Sequence, residues 1–278
     1  MSPYRYAVFQ PPAGGRHRLA RWVVSFVLGA VFAFLSGAVQ SGDLPDTVER
    51  VEPSIVAVGT YQATRSPRAE YKGTGFAVGN GRLVVTNHHV IPEDLDSERR
   101  ERLVVVSGQG RDTEVHSGEV VARSVDHDLA LLEIDGSSLP ALPLGSSDAV
   151  RVGEEVAFTG YPIGMILGLY PATHRATVSA RTPMVIPARH SDELDERRIR
   201  ALRNDPPMVF QLDATAYPGN SGSPLFRMDS GEVVGVINQV FVQGGREAAI
   251  GQPSGITYAI PADRIRPLLQ EHRSQGGD

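Results

Sequence analysis

Pro218-Gly219-Asn220-Ser221-Gly222-Ser223-Pro224 places one serine at the tip of a glycine-flanked turn, between two runs with the composition of β-strands. The flanking glycines let the backbone bend sharply and let a substrate approach it closely. The turn also leaves the backbone amides of Gly219 and Ser221 free to point at one spot, as an oxyanion hole requires. Because Gly-Asn-Ser-Gly is also ordinary turn chemistry, this segment alone leaves both a plain loop and a nucleophile open.

Two upstream segments supply the groups that a serine nucleophile needs. Leu83–Val90 is a β-rich run that ends in His88 and His89, and Asp126–Leu132 opens another apolar strand with acidic residues. A serine hydroxyl is a poor nucleophile at neutral pH and needs a neighbouring base. Imidazole suits that role, and a carboxylate then holds the ring in one tautomer. The order histidine, aspartate, serine therefore predicts acyl transfer by a catalytic triad.

Several short motifs resemble those of HtrA/Deg-type trypsin-like serine proteases. Their order along the chain is the same as in that family, and the resemblance covers roughly residues 45–268. The motifs are Gly73–Phe76 (GTGF), Thr86–Val90 (TNHHV), Asp128–Leu131 (DLAL), Gly219–Gly222 (GNSG) and Gly255–Pro261 (GITYAIP).

The resemblance implies a role for each of these residues. His89 matches the general base, Asp128 the acid that orients it, and Ser221 the nucleophile. The backbone N–H groups of Gly219 and Ser221 match the oxyanion hole. Asn220 stands where digestive relatives have an aspartate that captures a new N-terminus. Because an amide cannot form that ion pair, we expect control by loop ordering rather than by cleavage of a precursor.

The choice of histidine and of aspartate also follows the family pattern. On a strand, His88 and His89 would point to opposite faces, and the pattern Thr-Asn-any-His-Val selects His89. Asp128 is preferred to Asp126 because it directly precedes Leu-Ala-Leu, and we expect Asp126 to be a solvated turn residue. We expect no metal and no cofactor, because a His-Glu-x-x-His pattern is missing and the chain has 0 cysteines.

Many short β-rich runs, separated by glycine, proline or charged turns, indicate a sandwich or barrel. With the resemblance, this predicts an all-β fold of two six-stranded β-barrels of the chymotrypsin/trypsin type. Barrel one would span residues 50–145 and barrel two residues 150–262, with the active site in the cleft between them. The predicted strands are Ser54–Thr60, Gly73–Val78, Arg82–Thr86, Leu103–Ser107, Val115–Ala122, Leu129–Ile134, Glu155–Gly160, Ala172–Ala180, Val209–Ala214, Pro224–Met228, Val233–Val242 and Ile256–Ile260.

Helices are expected only at the margins of the protease domain, residues 43–272. Pro45–Glu52 is predicted to be a short helix with proline in its first turn, and a second helix around Asp263–His272 closes the domain. Residues 273–278 are expected to be a disordered tail. Many relatives carry PDZ domains after the protease domain, and we expect none here.

The first 40 residues predict a membrane anchor. Residues 1–21 carry arginines and no acidic residue, and residues 22–40 are almost wholly apolar. This pattern favours a cytoplasmic N-terminus and a single-pass transmembrane signal anchor in the bacterial inner membrane, with the protease in the periplasm. A cleavable signal peptide is the alternative, because Ser36-Gly37-Ala38 supplies small residues for cleavage. The protein would then be periplasmic or secreted.

Charge and family together predict the partners. The formal net charge is −5, and the arginines of the first 40 residues make the remainder more acidic still. This balance argues against nucleic acid as a partner. We expect polypeptide substrates, contact with the inner membrane through residues 22–40, and, from the family, a homotrimer.

Substrate preference is read from the residues near the serine. Thr215 stands where trypsin-like enzymes have the floor of the first specificity pocket, and Ile237, Asn238 and Gln239 are expected to line its walls. Without a carboxylate at the floor, we predict small to medium apolar side chains before the scissile bond.

The function implied is a serine endopeptidase for unfolded or misfolded exported proteins, or for a regulatory substrate. A catalytically silent membrane-tethered scaffold and an esterase remain alternatives. The enlarged segment Thr182–Pro207 is either a solvated surface helix or an activation lid or partner contact.

Overall fold

The computed structural model describes residues 43–162, 168–183, 207–238 and 255–276 of the chain. The expected anchor (22–40), most of the enlarged segment (184–206) and the pocket residue Gln239 lie outside these ranges. Among the described helices, none has both the length and the apolar character needed to cross a membrane.

Barrel one is a closed antiparallel barrel of six strands in the spatial order β1-β2-β3-β6-β5-β4. Register shifts between Val58 and Gly59 and between Val120 and Ala122 bend its longer strands, as bulges do at barrel corners. Its strands are β1 (Ile55–Tyr61), β2 (Ala69–Val78), β3 (Leu83–Thr86), β4 (Arg102–Gln109), β5 (Asp112–Ser124) and β6 (Leu129–Ile134).

Barrel two repeats this architecture in the spatial order β10-β11-β12-β9-β8-β7 and is also closed. The predicted pair of six-stranded barrels is therefore confirmed, and most strand ends differ from the expected ones by a few residues. Its strands are β7 (Glu155–Gly160), β8 (Ala172–Pro183), β9 (Met208–Asp213), β10 (Pro224–Arg227), β11 (Val233–Asn238) and β12 (Ile256–Pro261).

The two barrels share an apolar contact. Phe76 of barrel one and Phe226 of barrel two belong to one buried cluster, together with Tyr161, which is 1% exposed. Each barrel also has a separate apolar interior. Because close-packed interiors have little room to adjust, this shared cluster fixes how the two barrels dock against each other.

Within the described residues, two α-helices flank the barrels. Helix α1 (Leu44–Val51) has proline in its first turn and starts one residue before the predicted Pro45. Helix α2 (Ile265–Ser274) follows a 3₁₀ turn at Ala262–Arg264 and buries Ile265 and Leu268. It continues two residues past the predicted end at His272, so Arg273 and Ser274 are helical rather than part of a disordered tail.

Candidate active site

His89 lies on a 3₁₀ turn, His88–Val90, and not on a strand as the sequence suggested. Strand β3 ends at Thr86, and Asn87 is the last extended residue before the turn. The alternation argument for choosing between the histidines was therefore wrong, although the chosen residue is the one that meets the acid. Nδ1 of His89 lies 2.6 Å from Oδ2 of Asp128, whereas Nδ1 of His88 is buried without a hydrogen-bond partner in the described part of the chain.

Asp128 occupies the turn immediately before β6 and has a φ of +50°, which non-glycine residues seldom adopt. Backbone bonds hold this conformation: the Asp128 N–H donates to the Val125 carbonyl at 3.2 Å, and the Asp128 carbonyl accepts the His88 N–H at 3.1 Å. The side-chain amide of Asn87 donates to the same carbonyl at 3.0 Å. Asp126 lies in the same turn and is exposed, as expected.

The Asp128 carboxylate makes two hydrogen bonds with His89. Oδ1 accepts the His89 backbone N–H at 2.8 Å, and Oδ2 faces the ring nitrogen Nδ1. Because an ionised carboxylate only accepts hydrogen bonds, Nδ1 of His89 carries a proton, and in the neutral ring the lone pair is then on Nε2. The side chains of His89 and Asp128 are only 15% and 14% exposed, so the pair is largely shielded from water.

A third group, from the other barrel, completes the surroundings of the carboxylate. Asn238, the last residue of β11, donates from Nδ2 to Oδ2 of Asp128 at 2.7 Å. Burial by itself would raise the pKa of Asp128, but the hydrogen bonds and charge of His89, with the Asn238 amide, outweigh it and hold that pKa below its usual value. Asp128 is therefore an anion at neutral pH.

The loop that carries Ser221 offers two amides to a ligand. The N–H groups of Gly219 and Ser221 have no hydrogen-bond partner within the described residues. These are the two amides that the sequence predicts for an oxyanion hole. The other loop amides are bonded: Asn220 to the Tyr217 carbonyl at 2.9 Å, Gly222 to Ile237 at 3.0 Å and Ser223 to Asn220 at 3.0 Å.

The serine loop and the histidine turn meet across Gly73. A Cβ atom on Gly73 would lie 2.7 Å from Cγ2 of Val90 and 2.9 Å from the Ser221 carbonyl oxygen, so only glycine fits there. The Thr74 N–H donates to that same carbonyl at 2.8 Å. Ser221 is 6% exposed, and its hydroxyl makes no hydrogen bond within the described residues, including none to His89.

The residues expected to form the first specificity pocket differ in burial and in their contacts. Thr215 is half-buried in the segment before the serine loop. Ile237 is fully buried among the apolar residues of barrel two. Asn238 is buried too, and its side-chain amide donates to Asp128.

Sequence reasoning missed two hydroxyls behind the serine loop, those of Tyr71 and Thr74. Both contact the carbonyl of Gly219 at 2.7 Å. Thr74 lies within the GTGF motif, but a single sequence gives no signal that its side chain or that of Tyr71 reaches a loop nearly 150 positions away. In the described part of the chain no group of three or more His, Cys, Asp or Glu residues has the spacing of a metal site.

Paired six-stranded barrels, a largely buried histidine–aspartate pair and a glycine-flanked serine loop are the features of trypsin-like serine peptidases. Residues 73–236 match the family described as trypsin-like peptidase domain, which is more than half of the chain. The chain therefore belongs to this family, and its relatives make it an HtrA-type member.

The relatives include bacterial and animal proteins. A probable periplasmic serine endoprotease DegP-like of Pseudomonas putida (strain W619) is 33% identical over 248 residues, covering 86% of this chain and 44% of the relative. Serine protease HTRA1A of Danio rerio is 31% identical over 236 residues, covering 82% of this chain and 41% of the relative. The chain thus spans less than half the length of these curated relatives.

Solved structures show the same fold. The HtrA-type protease AlgW with decapeptide superposes with a TM-score of 0.61 at 22% identity, covering 84% of this chain and 69% of that one. The same protease with tripeptide gives a TM-score of 0.60 at 24% identity, covering 84% and 65%.

Proposed function

We propose that this chain is a serine endopeptidase that cleaves polypeptides by acyl transfer, with Ser221 as nucleophile, His89 as general base and Asp128 as the residue that orients His89. One observation carries the proposal. A histidine is held by a largely buried carboxylate, on a turn whose Val90 packs against Gly73, and the Ser221 carbonyl approaches the same glycine. The Gly219 and Ser221 amides have no partner among the described residues. A base, a nucleophile and a pair of oxyanion donors are the parts that amide hydrolysis needs.

The first half-reaction forms an acyl-enzyme. Nε2 of His89 takes the hydroxyl proton of Ser221 while Oγ attacks the scissile carbonyl carbon. The tetrahedral oxyanion that results is bound by the amides of Gly219 and Ser221. His89 then gives its proton to the departing amine, the C–N bond breaks, and Ser221 is left as an ester.

In the second half-reaction water replaces the amine. His89 removes a proton from the water, whose oxygen attacks the ester carbonyl, and the same two amides bind the second oxyanion. Collapse of this intermediate returns the proton to Oγ of Ser221 and releases the carboxylic acid. Asp128 stays ionised throughout and stabilises the imidazolium that forms twice in each cycle.

The absence of a hydrogen bond between Ser221 and His89, both of them described residues, is compatible with this scheme. In substrate-free enzymes such contacts are often long and tighten only in the complex. The approach of both Val90 and the Ser221 carbonyl to Gly73 keeps the two backbone segments close.

The proposed substrates are unfolded or misfolded exported proteins, or one regulatory protein, cut in the periplasm. The bacterial relatives are named periplasmic serine endoproteases, and the apolar segment 22–40 fits an anchor that leaves the peptidase outside the cytoplasm. A homotrimer is proposed from the family resemblance alone.

We further propose that the enzyme cuts after small to medium apolar residues. Thr215, which the family resemblance assigns to the pocket floor, is uncharged and half-buried, so it offers no carboxylate for a lysine or arginine side chain. Ile237, Asn238 and Gln239 are proposed as the walls of the same pocket.

The experiment that tests the function is digestion of a reduced, unfolded casein by the full chain in detergent, followed by mass spectrometry of the peptides. Wild type should cut, mainly after apolar residues, and Ser221→Ala should not. A silent scaffold would bind casein without peptide release in both proteins, and an esterase would hydrolyse a nitrophenyl ester but no casein. Cuts mainly after arginine would reject the proposed specificity while keeping the peptidase.

A further inference from the structure

The carbonyl oxygen of Gly219 receives two hydrogen bonds from barrel one. The Tyr71 hydroxyl lies 2.7 Å from it, and so does the Thr74 hydroxyl. Both donors come from β2, almost 150 positions earlier in the chain. Gly219 is the residue whose N–H is proposed to bind the oxyanion, so these two side chains touch the catalytic loop from behind.

The Tyr71 and Thr74 hydroxyls can both donate a hydrogen bond to the Gly219 carbonyl oxygen at the same time. Each hydroxyl has a single hydrogen to give, and a carbonyl oxygen has two lone pairs. Thr74 accepts the Tyr161 N–H at 3.0 Å and also lies 3.0 Å from the Tyr71 hydroxyl, but its contact with the Gly219 carbonyl, at 2.7 Å, is the shortest of the three. Tyr71 also lies 3.0 Å from the Tyr161 carbonyl, but its contact with Gly219 is shorter. Burial raises the pKa of Tyr71 far above its ordinary value, so the hydroxyl keeps its proton.

These bonds fix the peptide unit between Gly219 and Asn220 at both ends. Its oxygen is held by barrel one, and its N–H donates to the Tyr217 carbonyl at 2.9 Å. Gly219 itself has a φ of +104°, which L side chains rarely adopt. The direction of the Gly219 N–H therefore depends on how firmly the following peptide unit is held, because only the Gly219 φ and ψ rotations lie between them.

The loop has no comparable support from its own side chains in the described part of the protein. Both the nitrogen and the oxygen of the Asn220 side chain are buried without a hydrogen-bond partner among the described residues, and so is the hydroxyl of Ser223. The loop is held through its backbone carbonyls: Gly219 by Tyr71 and Thr74, and Ser221 by the Thr74 N–H at 2.8 Å.

We propose that Tyr71 is a positioning residue for the oxyanion hole: its hydroxyl, with that of Thr74, fixes the Gly219 carbonyl and thereby aims the Gly219 amide at the transition state. This inference rests on the proposed function. Removal of the Tyr71 hydroxyl leaves the nucleophile, the base and the substrate contacts in place. It therefore lowers stabilisation of the tetrahedral intermediate more than it lowers substrate binding.

The test compares Tyr71→Phe with Tyr161→Phe in the full chain. Tyr161 is a matched control, because its buried phenol packs edge-on against Tyr71 at 6.4 Å between ring centroids. Its hydroxyl bonds the carbonyls of Gly108 and Ile55 at 3.1 and 3.3 Å, away from the serine loop. Each variant thus deletes one buried phenol oxygen, but only one of them touches Gly219.

Tyr71→Phe is expected to lower kcat on a peptide substrate about 10-fold or more, with KM nearly unchanged, since loss of a whole oxyanion donor costs about 10²–10³. The inhibition constant of a peptide boronic acid, whose adduct with Ser221 carries the oxyanion geometry, should rise by about the same factor. Tyr161→Phe should leave kcat, KM and the boronic acid constant close to wild type.

If Tyr71→Phe does not fold, Thr74→Val and Thr74→Ser test the same hydrogen bonds to the Gly219 carbonyl. The serine keeps the donor and should retain activity, while the valine should show the same kcat loss as Tyr71→Phe. Equal kcat in Tyr71→Phe and Tyr161→Phe, or a change in KM alone, overturns the inference and leaves the peptidase function intact. Wild type that neither cuts peptide nor binds the boronic acid overturns both.

Discussion

Asn238 and His89 share one oxygen of Asp128: the Asn238 amide donates to Oδ2 at 2.7 Å, and Nδ1 of His89 lies 2.6 Å from the same atom. Asn238 comes from barrel two and the other two residues from barrel one. The orientation of the proposed base therefore depends on the docking of the two barrels, not on one barrel alone.

Substitution of Asn238 should lower turnover through Asp128. Asn238→Ala removes a hydrogen bond to a buried anion, worth about 1.5–3 kcal/mol, and we expect kcat to fall about 10-fold or more.

Asn238→Asp places a second carboxylate against Asp128 and raises the pKa of the pair. Its activity relative to wild type should therefore fall further as pH rises and both groups ionise. Steady-state kinetics from about pH 6 to 9 measures this, and a constant ratio across that range contradicts it.

The residues of the proposed triad could be picked out from the sequence because each lies in a short motif beside a strand boundary. Asp128 directly precedes β6, and Ser221 lies in the turn before β10, so local composition carried the signal. The strands could be placed for the same reason: β-branched residues and glycine turns report local structure.

Contacts between distant segments gave no such signal. The 3₁₀ turn of His88–Val90 depends on the Asp128 carbonyl, which accepts the His88 N–H from another part of the barrel. The contacts of Asn238 and Tyr71 depend on how the barrels dock, and the burial of Ile237 depends on which face of β11 points inward. Such pairings are fixed by tertiary packing, which one sequence does not display.

Two glycines with nearly equal φ angles differ in how much space surrounds them. Gly222 has a φ of +88° and Gly153 of +89°. A Cβ on Gly222 would lie 2.0 Å from the Thr74 carbonyl oxygen, whereas a Cβ on Gly153 meets nothing within 4 Å. Gly153→Ala should cost about 1–2 kcal/mol for its positive φ, and Gly222→Ala about 3 kcal/mol or more beyond that, because the clash adds strain in the core. Urea unfolding measures the loss in free energy of unfolding for both variants. Equal losses would show that the backbone of barrel one at Thr74 moves away at little cost.

The two adjacent histidines should differ greatly in their effect on turnover. Loss of the base in a triad costs on the order of 10⁶ in kcat, as it does in subtilisin, and His89→Ala should show a loss of that order. His88→Ala should change kcat by less than about 10-fold, because no hydrogen bond within the described residues joins its ring to Asp128 or to the serine loop. Comparable losses in the two variants would mean that the base has been assigned to the wrong ring.

Acid should destabilise the fold through Glu101 as well as through Asp128. Hydrogen bonds from the Thr60 hydroxyl at 2.6 Å, the Asp96 N–H and Arg65 lower the pKa of Glu101. A depressed pKa contributes stability that is present above the unfolded value, about 4.3, and is lost as pH falls through the folded value. The free energy of unfolding should therefore decrease from about pH 5 to pH 2, less steeply in Glu101→Gln. Glu98→Gln, which removes an exposed carboxylate outside this network, is the control, and equal slopes in the two variants would contradict the account.

The most direct test of the central claim is intact-mass and peptide-level mass spectrometry after treatment with a fluorophosphonate. Such reagents need an activated serine beside an oxyanion hole. The account predicts one adduct per chain, on the peptide that contains Ser221, and its loss in both Ser221→Ala and His89→Ala. No adduct on wild type, or an adduct whose rate is unchanged in His89→Ala, would contradict it.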